Sequence, residues 1–103
     1  MLKYETIQVS AQANREGKGT ILSIAAGKKV TLKGLGYNIY GDAIVFLEIE
    51  GNRLIRTFNA FSAGYGNFIP LNLEVQGPVN IDVGIENIST NSETKYLTIM
   101  YEE

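Results

Sequence analysis

Apolar residues fall on every second position along much of this chain. Ile69, Leu71, Leu73 and Val75 alternate with Asn72, Glu74 and Gln76, and Val79, Ile81, Val83 and Ile85 alternate with Asn80, Asp82, Gly84 and Glu86. Leu97, Ile99 and Tyr101 continue the pattern in a last segment over 95–101. A period of two puts one set of side chains on each side of a strand, so these segments predict half-buried strands. Gly77-Pro78 and the polar run Ser89–Glu93 are the turns between them. Pro70 has no N–H to donate, which predicts an edge position for its strand.

The stretch Gly41–Phe61 predicts a hairpin closed by Gly51-Asn52, because a two-residue hairpin loop needs positive φ and glycine supplies it. That turn pairs Glu50 with Arg53, Ile49 with Leu54, Leu47 with Arg56, Val45 with Phe58 and Ala43 with Ala60. One face then carries Val45, Leu47, Ile49, Leu54 and Phe58 and points to the core. The opposite face carries Glu48, Glu50, Arg53, Thr57 and Asn59, but also Ile44, Phe46 and Ile55. Contiguous exposed apolar patches are uncommon on monomers, so a second subunit is expected to cover Ile44, Phe46 and Ile55.

Upstream, 2–9 changes apolar parity between Leu2/Tyr4 and Ile7/Val9, which predicts a strand that bends or is buried on both sides near its end. Ser10–Gly19 is polar, without apolar periodicity, and reads as the longest loop. Thr20–Ala26 predicts a short strand, followed by a turn at Ala26-Gly27-Lys28. Lys29–Tyr40 changes parity at Gly34, the mark of a β-bulge or a strand crossing between sheets. Gly34-Leu35-Gly36 lacks the following helix that a phosphate-binding glycine motif requires. In Ser62–Phe68, glycines bracket Tyr65 and place it at a loop tip, as a contact residue or a lid, or folded back over the edge of the sandwich. Eight strands in 103 residues predict one all-β domain over 1–103, an eight-stranded two-sheet antiparallel sandwich of jelly-roll type. An immunoglobulin-like sandwich is the alternative, weakened by the lack of tryptophan and cysteine.

Composition narrows the chemistry. With neither cysteine nor histidine, thiolate sites and the commonest general base are missing. The chain is read as non-enzymatic, with no cofactor and no metal. Glu48 with Glu50 and Asp82 with Glu86 are the carboxylate pairs that spacing would put on one side of a strand; Asp82, Glu86 and an asparagine could form a calcium site, but no dense acidic loop supports one. Asn87-Ile88-Ser89 matches the glycosylation pattern. A net charge of −2 argues against nucleic acid. The start has no signal-peptide pattern and no run reaches the ~20 apolar residues of a membrane helix, so the chain is expected to be soluble, in a virion or the cytoplasm. Segment 15–33 is basic and 74–103 acidic, a pattern of solvated strand faces or of complementary subunit surfaces. Nine asparagines and six tyrosines suit sugar-binding or polar packing surfaces, with Tyr37, Tyr40, Tyr65 and Phe68 as the rings of interest.

Taken with the short alternating strands, the AGKKVTLKG entry into a strand and the GIENISTNSETKYLTIMY terminal hairpin resemble small jelly-roll proteins that decorate viral capsids or form turrets on them. The resemblance implies a structural subunit that acts by assembly, as a homo-oligomer or docked on a larger particle. The expected interface is Ile44, Phe46, Ile55 and Tyr65. A carbohydrate-binding module using exposed tyrosines is the alternative function.

Overall fold

The computed structural model describes residues 1–37, 43–58 and 67–103. Its strands are β1 (Leu2–Ala11), β2 (Glu16–Ile24), β3 (Lys29–Tyr37), β4 (Ala43–Ile49), β5 (Asn52–Phe58), β6 (Asn67–Gln76), β7 (Val79–Asn87) and β8 (Glu93–Glu102). The pairs β1·β8, β2·β7, β3·β6 and β4·β5 are all antiparallel and nested around the central hairpin. The chain is therefore one long ribbon, folded at β4·β5 and wound over itself. Lateral pairing of β3 with β8 and of β4 with β7 closes the ribbon into two four-stranded sheets, β1-β8-β3-β6 and β2-β7-β4-β5. That order is the jelly roll, and it excludes the four-plus-three arrangement of an immunoglobulin domain.

The clean alternations behave as read. Ile81, Val83, Ile85, Leu97 and Ile99 are fully buried between the sheets with Leu32, Leu35, Val45 and Leu47, and each such side chain contributes about 1.5–3 kcal/mol relative to exposure. Pro70 lies on β6, an edge strand. At Gly34 the register of β3 slips against both neighbours between Leu32 and Gly34, so Leu32 and Leu35, on opposite parities, both reach the core. The expected continuation of this strand to Tyr40 lies outside the described residues, as do Ala60 and Tyr65.

Three expectations are corrected. The hairpin turn is Glu50-Gly51, not Gly51-Asn52: both residues have positive φ, 52° and 81°, and Ile49 pairs with Asn52. A register shift between Leu47 and Glu48 then leaves Leu54 unpaired. Beyond that bulge the parity of β5 is reversed, so Ile55 opposes Leu47 and packs on the core while Leu54 is exposed.

The polar stretch Ser10–Gly19 is mostly strand, with only Gln12–Arg15 joining β1 to β2. Glu16, Lys18 and Thr20 alternate with Gly17 and Gly19, and at Gly17 the inward position has no room for a side chain. A Cβ on Gly17 would lie 1.9 Å from the Ser10 carbonyl oxygen. The strand expected over Thr20–Ala26 is the second half of this β2 and ends at Ile24, with a register shift between Thr20 and Leu22.

The parity change in β1 is not a bend. Its register with β8 is unbroken over ten pairs, Leu2↔Glu102 to Ala11↔Glu93. Val9 and Ala11 are buried, whereas Leu2 and Tyr4 point outward and are exposed.

Lys95 is the anomaly of the interior. It sits opposite Val9 and is 1% exposed, with its Nζ 3.5 Å from Glu93 Oε1. Among the described residues Glu93 is its ion-pair partner, at a distance that recovers little of a buried ammonium's desolvation cost. Replacing the pair together, Lys95→Met with Glu93→Gln, is expected to raise stability by on the order of 1 kcal/mol, read as a higher urea midpoint; a lower midpoint would show that the charge is well solvated in place.

Candidate functional site

The two outer sheet faces differ in kind, and the difference begins with Phe46. Even-numbered residues of β4 point away from the core, so Phe46 belongs to the outer face of β2-β7-β4-β5, yet it is 0% exposed. The Arg53 guanidinium lies over its ring, 3.6 Å from the centroid, and Gly84 on the adjacent β7 leaves the space the ring fills, since a Cβ there would stand 2.6 Å from Phe46 Cζ. A guanidinium over an aromatic face is attracted by the ring quadrupole.

Arg53 is itself held on every side. It donates to Glu48 Oε2 from Nε and Nη2 at 2.9 and 2.6 Å, to Glu16 at 3.0 and 3.1 Å, and to Glu86 at 2.8 Å. Lys18 donates to Glu48 Oε1 at 3.0 Å, and Arg56 donates to Glu86 at 2.7 and 2.8 Å. Three cations and three carboxylates, drawn from all four strands of the sheet, thus form one neutral network over Phe46.

Arg53 first, then Lys18, holds the Glu48 carboxyl below the usual carboxylate value of 4.5, and Arg56 first, then Arg53, does so for Glu86. The folded chain therefore binds fewer protons than the unfolded chain as pH falls into the carboxylate range. The stability these groups supply is fully present above that range and is lost as pH drops through their depressed folded values. We expect the urea midpoint to fall below pH 4.5 and Glu48→Gln to flatten part of that fall; an unchanged acid profile in the variant would contradict the assignment.

The carboxylate pairs named from spacing do not work together. Glu48 lies under the network, Glu50 is in the turn, Asp82 accepts from Thr20 Oγ1 at 2.7 Å, and Glu86 is chelated by arginine. A general acid needs a raised pKa, and Glu48 and Glu86 are shifted the other way. Among the described residues no group of three His, Cys, Asp or Glu side chains is placed to hold a metal ion. One open hollow among them, about 490 Å³, is lined by Ile24, Glu50, Pro78, Val79, Asn80 and Asp82.

The glycosylation pattern is occupied by structure. Asn87 is 2% exposed, and its Nδ2, the atom a glycan would take, donates to the carbonyls of Ala11, Gln12 and Asn91 at 3.1, 3.1 and 2.7 Å. The basic and acidic segments meet within the chain: β3 lies between β6 and β8, bringing Lys29 to Glu74 at 3.7 Å and Lys33 to Glu102 at 4.0 Å.

Of the expected interface, Phe46 is roofed by Arg53 and Ile55 faces inward, so they do not form one exposed apolar face. Ile44 is half-buried beside Glu86, and Tyr65 lies outside the described residues. Of the four rings singled out, Tyr37 is buried and Phe68 exposed, while Tyr40 and Tyr65 are outside the described residues.

The outer face of β1-β8-β3-β6 has the opposite character. Register rows run Tyr4–Met100–Gly34–Pro70 and Thr6–Thr98–Gly36–Phe68 across all four strands. Gln8 beside Tyr96 and Ser10 beside Thr94 extend the face along β1 and β8. None of these residues carries a charge. Tyr4, Phe68 and Tyr96 are 59%, 51% and 55% exposed. The Phe68 ring lies across Gly34, where a Cβ would come within 2.0 Å of it, and the threonine pair is hydrogen-bonded at 2.8 Å. Sequence reasoning missed this surface, although Leu2 and Tyr4 on the parity opposite to Ile7 and Val9 were its trace.

No protein-family model matches the sequence, and no curated protein does. Among solved structures, the chain is similar to one from infectious bursal disease virus, Gt strain, at 15% identity and TM-score 0.51, covering 97% of this chain and 32% of that one. A cyanophage Pam1 capsid structure matches at 14% identity and TM-score 0.49, covering 98% and 82%. The Drosophila NLP core, whose structure is described in terms of pentamer formation and histone binding, matches at 13% identity and TM-score 0.41, covering 96% and 99%. The chain spans about a third of the bursal disease virus protein it matches, and what the two share is the fold.

Proposed function

We propose that this chain is a non-enzymatic structural subunit that works by docking on other subunits, as a capsid-associated or decoration protein of a virion. The observation that carries the reading is the contrast between the outer faces. One is closed by its own neutral ion-pair network; the other is broad, carries no charge along the rows from Tyr4 to Ser10 and is studded with half-exposed rings, as contact surfaces are. The jelly-roll topology and the resemblance to capsid decoration proteins support the viral setting. Sedimentation velocity from micromolar to near-millimolar protein tests the reading: the mean sedimentation coefficient should rise with concentration. A single monomer boundary throughout would count against self-association.

A second reading rests on the same face. Tyr4, Tyr96 and Phe68 together could stack sugar rings, which would make the chain a carbohydrate-binding module. We expect a broad glycan screen to return no specific hit, and a reproducible hit abolished by Tyr4→Ala would reverse the ranking.

A further inference from the structure

We infer that the outer face of β1-β8-β3-β6 packs on the same face of a second copy, about a two-fold axis that runs along the strands between β8 and β3. The inference rests on the structural-subunit reading and names its first partner.

The edges of this sheet are guarded. Lys3 and Glu5 occupy inward-parity positions on the edge strand β1, and Pro70 interrupts donation from the other edge, β6. Inward charges and proline are standard protections against strand addition. The face has no comparable protection along the rows from Tyr4 to Ser10, so association through the face is favoured over association through an edge.

Charge complementarity selects a copy of this chain as the occupant. The charges of the face gather at one end, where the basic β3, with Lys29 and Lys33, lies beside the acidic Glu102 of β8. A two-fold along the strands lays β3 of one copy over β8 of the other with rows in step. Lys33 then comes over Glu102 of the second copy, and the reverse contact repeats it, as an isologous interface requires. In the next rows Met100 and Thr98 of β8 come over Gly34 and Gly36 of the second copy, side chains over a strand with none. The four strands run side by side over six rows, so four strands about 4.8 Å apart and six residues at about 3.3 Å each give a footprint of about 380 Å² in projection. Side-chain relief makes the accessible area larger but leaves it below the ~800 Å² per partner of a standard interface, in the range of weak association.

The test is size exclusion coupled to light scattering, with circular dichroism on the same samples. Wild type is expected at twice the mass of one chain. Met100→Lys and Tyr4→Lys should each return it to the mass of one chain with the β spectrum unchanged, while Leu54→Lys and Ile88→Lys, at exposed apolar positions elsewhere, should not. Tyr4, on an edge strand, keeps the test valid if the Met100 variant fails to fold. Lys33→Glu should weaken the dimer and Lys33→Glu with Glu102→Lys should restore it. An oligomer that survives Met100→Lys and Tyr4→Lys but is dissolved by Leu54→Lys would overturn this face and leave the structural-subunit reading standing. A wild type that stays monomeric at near-millimolar concentration would overturn the second copy as occupant; a glycan hit on the same face would overturn both readings.

Discussion

Phe46→Ala is expected to lower stability by about 3–5 kcal/mol, the range for deleting a buried phenylalanine. The ring lies outside the sandwich core, so its burial depends on the layer above it. Its removal costs the transfer of the ring and leaves a cavity under Arg53, which Gly84 on one side cannot fill. It also takes away the surface on which the guanidinium is stacked while Glu16, Glu48 and Glu86 still converge on it. Urea unfolding measures the loss. Leu54→Ala, at a 53% exposed neighbour, should stay within about 0.5 kcal/mol of wild type. A Phe46→Ala loss below about 1 kcal/mol would mean that the ring is not an outer core of its own, because surface substitutions rarely cost more.

Gly84→Val is expected to be comparably damaging by the opposite route. A Cβ at Gly84 would lie 2.2 Å from the Gly17 carbonyl oxygen and 2.6 Å from Phe46 Cζ, so both the β2 backbone and the ring must move. Overpacking of this kind costs typically 1–3 kcal/mol, and the backbone clash points to the upper end. The two sites touch, so their effects should not add. Phe46→Leu in the Gly84→Val background should recover part of the loss in the same urea measurement. Strict additivity of the two substitutions would separate the glycine from the ring and assign its cost to β2 alone.

The strands with filled inward positions were legible in the sequence, and with them the sandwich. β6, β7 and β8 each present an unbroken set of large apolar side chains at period two, and the parity change at Gly34 located the β3 bulge. The first half of β2 was hidden because its inward positions, Gly17 and Gly19, are glycines, so a stretch whose backbone lies against β1 at Gly17 reads as polar loop, while its second half was read as a strand from Thr20. The hairpin register was hidden by a turn that places Glu50 at positive φ ahead of Gly51 and by an unpaired Leu54. Together these reverse which side of β5 faces the core. That reversal moved Ile55 inward, and Arg53, read as one charge on a solvated face, proved to be the cover of Phe46. Ion pairs among four strands that are distant in sequence have no local signal. The outer face of β1-β8-β3-β6 was hidden likewise, because its rows join residues from both ends of the chain.

The central claim is that one outer face is closed by its own side chains and the other receives a partner. Hydroxyl-radical footprinting of dilute and concentrated samples, with modified residues mapped by mass spectrometry, reads both faces in one experiment. Met100, Tyr4, Phe68 and Tyr96 should be modified in dilute protein and protected on concentration. Leu54 should be modified equally in both, and Phe46 should be protected in both. Protection that appears at Leu54 while Met100 and Tyr4 stay reactive, or modification of Phe46 in the folded dilute protein, would contradict the account.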